Sequence, residues 1–84
     1  MIHIQVVGSG CANCRKLAEL CTEVVAENGV EAEIEKVTDA ARFADLGIIM
    51  TPGLIIDGEV KSSGRMPVKA TILQWIINAV ARRG

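Results

Sequence analysis

The sequence predicts an α/β fold: a small four-stranded mixed sheet with helices on both faces, in the order β-α-β-α-β-β-α. Three observations predict it. Residues 2–7 form a β-branched run in which Ile2, Ile4 and Val6 share one face. Apolar residues at helical spacing run from Cys11 to Asn28. Asp57-Gly58, among the strongest two-residue hairpin signals, joins two short strand-like runs and is followed by a second amphipathic pattern.

Each element has its own local cause. In the first helix Cys14, Leu17, Leu20, Cys21, Val24 and Val25 make the apolar stripe, while Glu19, Glu23 and Glu27 line the opposite side as a solvated ridge. Asn28-Gly29 ends it, with Val30 able to fold back on the last turn. Residues 31–37 alternate, but Ile34 and Val37 fall on different faces and three glutamates interrupt. That pattern suits an edge strand, where charge is tolerated. Thr38 is expected to cap a short helix through Ala40, Ala41, Phe43, Ala44 and Leu46, stopped by Gly47. Leu54–Ile56 reads as a buried strand and Glu59–Ser62 as its return. Pro67 fits the first position of a C-terminal helix carrying Val68, Ile72, Trp75, Ile76 and Ala79, which Arg82 and Arg83 close with charge suited to a helix C-terminus.

Composition bounds the function. With 84 residues, half of them hydrophobic, the chain is expected to be one domain spanning 1–84 with its own core. Nine basic residues nearly balance ten acidic ones, so there is no field to collect nucleic acid or an anionic membrane. The aromatic residues are Phe43 and Trp75 alone, too few for base stacking. No apolar run approaches the roughly 20 residues of a membrane span. Three cysteines are too few for a disulfide-stapled secreted scaffold, and no secretory leader is recognisable, so a reducing cytoplasm is the expected location. A monomer is expected. Leu73, Ile77 and Val80 form a second stripe on the last helix, with scope either for wider core burial or for an interface.

The chemistry gathers at Cys11-Ala12-Asn13-Cys14, reached from the first strand through Gly8-Ser9-Gly10. Two thiols so spaced at a helix start can form and break a disulfide. The helix N-terminus carries roughly half a positive charge from its unpaired N–H groups. That field favours a thiolate and can lower a cysteine pKa from about 8.5 into the range of roughly 3.5 to 7.5. Cys11 is therefore the expected nucleophile and Cys14 its partner. Cys21 shares a helix face with Cys14 and reads as a small core residue. His3 reads as a strand residue on the second sheet face.

The element order, the CxxC after the first strand, Thr51-Pro52-Gly53 before the hairpin, and Gly64 beyond it together resemble the thioredoxin fold in its minimal, glutaredoxin-sized form. More narrowly, the chain resembles the small thioredoxin-like redox-disulfide proteins of bacteria and archaea, over essentially its whole length. The resemblance implies a thiol–disulfide oxidoreductase without a cofactor. It implies that Cys11 attacks a substrate disulfide, that Cys14 resolves the mixed disulfide, and that Pro52 is cis and faces the dithiol. Gly10, Thr51, Pro52 and Gly64 would then hold the substrate, a protein or small-thiol disulfide, and a reductase would supply electrons. The chain departs from the thioredoxin pattern at three points: Gly10 stands where an aromatic residue is common, Ala12-Asn13 separates the thiols, and Gln5 occupies the position of a buried aspartate.

Two other readings start from the same residues. Strand, glycine turn, CxxC and helix also occur in domains that carry Cu(I) between two thiolates. Those domains have a Met where Ser9 stands and end in a strand. Gly8-Ser9-Gly10 after a strand resembles the start of a dinucleotide loop, but Asn13 stands at its third glycine position and the chain is too short for that fold.

Overall fold

The computed structural model describes residues 1–83. Its elements are β1 (Ile2–Val7), α1 (Ala12–Glu27), β2 (Ala32–Val37), a 3-10 turn (Ala40–Arg42), β3 (Gly53–Ile56), β4 (Glu59–Ser63) and α2 (Lys69–Arg83). The sheet order is β2-β1-β3-β4. β1 and β2 run parallel, with Ile2 opposite Ala32 and Val7 opposite Val37. β1–β3 and β3–β4 are antiparallel. This is the minimal thioredoxin fold.

The period of two along β1 builds two cores. Ile2, Ile4 and Val6 join Leu54 and Ile56 beneath Leu17, Ala18, Cys21 and Val24 of α1 and Ile72, Ile76 and Ala79 of α2. Val7, Val37 and Ile55 point the other way and meet Ile48, Phe43 and Leu46. Both α-helices thus cover one face. The second face is closed by the segment that the sequence suggests as a helix from Thr38.

That segment is a 3-10 turn followed by further turns, and Asp39 caps it in place of Thr38. The Asp39 carboxylate accepts the Ala41 N–H at 3.0 Å. A short alanine-rich segment lacks the length to repay helix nucleation. Phe43 and Leu46 dock on the sheet instead, and Phe43 O accepts both the Leu46 and the Ile48 N–H, which folds the chain back on itself.

At the last helix, Pro67 lies two residues ahead of the start and not at the first helical position. The Val68 carbonyl accepts the N–H groups of Thr71 (3.0 Å) and Ile72 (3.2 Å), so Val68 serves as the cap. β4 carries a bulge: Leu54 pairs with Ser62 and Ile55 with Val60, leaving Lys61 as the extra residue. Asp57 (φ 49) and Gly58 (φ 83) form the two-residue hairpin turn.

Charged groups tie the layers at their rims. The Arg83 guanidinium grips Asp57 in two bonds of 2.8 and 2.9 Å, and the His3 backbone N–H adds a third at 2.9 Å. Led by Arg83, these hold the Asp57 carboxyl at about 2, so it stays charged in all but strongly acidic solution. Arg82 pairs with Glu59. Lys69 of α2 reaches Glu23 (3.2 Å) and Glu27 (2.9 Å), so the glutamate ridge of α1 is partly an interhelix bridge.

Candidate active site

α1 starts where the sequence puts the first thiol. Cys11 is its N-cap, in extended conformation (φ −67, ψ 162), and its Sγ accepts the Cys14 N–H at 3.2 Å. The Cys11 carbonyl accepts the Arg15 N–H at 3.1 Å and so begins the helical ladder. A free helix N–H therefore points at the sulfur, where it would stabilise negative charge. Cys11 and Cys14 are joined in a disulfide, with their Cα atoms 5.1 Å apart. Cys11 is exposed; Cys14 is only 5 % exposed.

Gly8 gives Cys14 its seat. A Cβ built at Gly8 would overlap Cys14 Sγ and lie 3.0 Å from Cys14 Cβ. The sequence offers Gly8 only as part of a tight turn between β1 and the thiols. Its closer role, letting sulfur rest on bare backbone, becomes visible only once α1 is docked. Gly8 also donates its N–H to Val37 O at 2.9 Å, which fixes the strand end beneath the thiols.

Antiparallel pairing brings the other half of the site alongside. Gly53 lies opposite Val7, which carries Thr51 and Pro52 to the end of β1. Thr51 Cβ is 3.8 Å from the point that a Gly8 Cβ would occupy. The Thr51–Pro52 bond is cis, as the resemblance implies. Pro52 is buried and Thr51 exposed.

Gly64 is brought to the same loop. Its N–H donates to Pro52 O at 2.9 Å, it has φ 74, and an added Cβ would stand 2.8 Å from Met50 Cβ. Only glycine combines that conformation with that approach. Gly10 (φ 87) precedes Cys11 with open space around it. The structure thus gathers Cys11, Cys14, Gly10, Thr51, Pro52 and Gly64 at one end of the sheet.

Ser63 is a residue that sequence reasoning misses. Its hydroxyl donates to Met50 O at 3.0 Å and accepts the Met50 N–H at 3.3 Å, pinning the loop ahead of Pro52. Nothing local marks it, since its partner is thirteen residues away. Above that clamp Ile49 is 93 % and Met50 63 % exposed. Two large apolar side chains thus stand in solvent on the loop that leads into Thr51-Pro52.

Beneath the site, Gln5 is buried and donates from Nε2 to Glu35 at 3.1 Å. Arg42 (3.3 Å) and the His3 ring (3.2 Å) meet the same carboxylate. The Gln5 bond, with help from Arg42, lowers the Glu35 pKa. Position 5 therefore supplies a satisfied amide and no proton acceptor. Cys21, two turns down α1, is fully buried, and burial pushes its thiol up to about 12, so it is an inert core residue. Among the described residues, no cluster of three or more His, Cys, Asp or Glu side chains is arranged to hold a metal ion.

Comparison with known proteins agrees with this geometry. The thioredoxin domain family matches residues 2–77. A thioredoxin of Methanothermobacter thermautotrophicus is 42 % identical over 72 residues, covering 86 % of this chain and 94 % of its own length. A thioredoxin of Methanocaldococcus jannaschii is 36 % identical over 67 residues, covering 80 % and 77 %. With the CxxC disulfide at the start of α1, the fold and these matches make the chain a member of the thioredoxin family, a thiol–disulfide oxidoreductase with a redox-active Cys11–Cys14 pair.

Proposed function

We propose that Cys11 is the attacking thiolate and Cys14 the resolving thiol in the reduction of protein disulfides, with a reductase returning electrons to the pair. One observation carries this reading: an exposed N-cap sulfur that accepts a helix N–H stands over a partner sulfur that is almost wholly buried. The Cys11 thiolate attacks one substrate sulfur. A Cys11–substrate disulfide forms, and the other substrate sulfur leaves as a thiolate. Cys14 then closes on Cys11 and frees the second substrate sulfur.

Gly10, Thr51, Pro52 and Gly64 form the substrate platform. Gly10 leaves the approach to Cys11 open, and the exposed backbone of Thr51 is free to pair with an extended chain. Pro52 and Gly64 hold that backbone in position through their 2.9 Å bond. The favoured substrate is a protein segment with apolar residues flanking its cystine, because the exposed Ile49 and Met50 directly precede Thr51-Pro52 of the platform. We further assign the protein to the cytoplasm as a single-domain monomer working on disulfides, without nucleic acid or membrane partners. A near-neutral charge and cysteines used as one redox pair support that assignment. Among the described residues, no helix is long and apolar enough to cross a membrane.

The test is Ile49→Asp, assayed with a protein disulfide and with a small disulfide. The KM for the protein disulfide is expected to rise about fivefold, from losing roughly half of a buried side chain's transfer energy, with kcat little changed. The small disulfide should be turned over as before. Equal losses on both substrates would show that Ile49 does not touch the substrate.

A further inference from the structure

Gln5 beneath the site is a hydrogen-bonded amide that takes no proton from the resolving thiol, so what governs that thiol lies on its other sides. The side of Cys14 facing the edge strand opens on a small cavity of about 30 Å³, whose walls include Gly8, Arg15, Lys36 and Thr38. Arg15 and Lys36 also line a wider cleft of about 370 Å³ that contains Glu19 and Glu23. Register explains how Lys36 arrives there. It lies opposite Val6, a residue of the face that α1 covers, so its side chain leaves the edge strand on the α1 side.

These cations are also uncommitted. Five of the nine basic residues, Arg42, Lys61, Lys69, Arg82 and Arg83, have a carboxylate oxygen within 4.0 Å. Among the described residues, Arg15 and Lys36 have none. Arg15 from α1, Lys36 from β2 and the uncharged Thr38 beyond it line the cavity with Cys14, uncharged Thr51 stands near Gly8 from the loop before β3, and Cys11 is bonded to Cys14. Glu19 is the nearest acid along α1, one turn beyond Arg15.

We infer that Lys36, with Arg15 beside it, is a positioning residue that stabilises the Cys14 thiolate and so drives the resolving step. The inference rests on Cys14 being the resolving thiol. In that step Cys14 gives its proton to solvent and its thiolate attacks Cys11 Sγ. The Cys11–Cys14 bond forms as the Cys11–substrate bond breaks. The bonding pair departs on the substrate sulfur, which takes a proton from solvent.

The direct test titrates Cys14 alone, in Cys11→Ser protein, by thiolate ultraviolet absorbance. Adding Lys36→Met should raise the Cys14 midpoint by about 0.5 to 1 pH unit, a solvent-moderated charge effect, and Lys36→Arg should restore it. The difference should shrink as salt is added. With both cysteines present, Lys36→Met should slow resolution about threefold at pH 7. The thiolate population falls up to about tenfold, while the less acidic thiolate is about threefold more nucleophilic. Above the midpoints of both proteins, the order should reverse, which no general loss of structure would produce. An unmoved midpoint, or a Lys36→Arg protein no better than Lys36→Met, would overturn the inference. This titration does not depend on which thiol resolves; capture of substrate by Cys14→Ser protein decides that separately.

Discussion

Cys14→Ser protein, reduced and mixed with a protein disulfide, is expected to accumulate a covalent Cys11–substrate adduct, whereas Cys11→Ser protein should accumulate none. The reason is the asymmetry of the pair. Cys11 Sγ is exposed and receives a helix N–H, while Cys14 is 5 % exposed and sealed beneath it. Once Cys14 is removed, the mixed disulfide has no internal thiol to open it. Cys21 cannot substitute, being fully buried with its thiol at about 12. Turnover should fall by at least about 10³-fold in Cys11→Ser, the scale of losing a nucleophile. Gel analysis without reductant, followed by mass mapping of the adduct, reads both outcomes. Capture through Cys14 by Cys11→Ser protein would reverse the two assignments.

Gly8→Ala is expected to damage the seat of the second thiol directly. The added methyl would overlap Cys14 Sγ and crowd its Cβ at 3.0 Å. Relief requires moving either the first turn of α1 or the end of β1. Both are anchored, by the Arg15–Cys11 bond and by the Gly8–Val37 bond respectively. Overpacking of this kind costs about 1–3 kcal/mol. Denaturant unfolding of the oxidised protein should show that loss, and closure of the dithiol by mild oxidant should slow. An unchanged unfolding midpoint with ordinary closure would mean that Cys14 is not seated on bare backbone.

How much of this was legible in the sequence follows from the range of each interaction. α1 was legible because its stripe repeats over four turns, and the Cys11 cap is local to it. The hairpin was legible because Asp57-Gly58 meets its own backbone requirement. β2 read as an edge because Ile34 and Val37 cannot share a face, and they indeed serve different cores. The segment after Thr38 misled because alanines and one cap signal suggest a helix, whereas the docking of Phe43 and Leu46 on the sheet decides its shape. Pro67 suits a first helical position by its fixed φ, but the Val68 carbonyl sets the start.

At the site, the two thiols and the Thr51-Pro52 pair could be named from spacing and resemblance. The Ser63 clamp, the bare backbone of Gly8 and the approach of Lys36 could not. Each depends on a partner brought near by sheet register, and no local pattern records it. The bridge from Lys69 to Glu23 and Glu27 was hidden for the same reason, joining helices more than forty residues apart.

In the reduced protein, α1 is expected to hold Cys11 ionised above a sheltered Cys14. Alkylation of the reduced protein across a pH series, with modification at positions 11 and 14 quantified separately, reads this ionisation. Cys11 should react first, with a midpoint well below the ordinary cysteine value of about 8.5. A midpoint for Cys11 at or above that value, or equal reactivity at the two positions, would mean that the helix does not set Cys11 apart as the nucleophile.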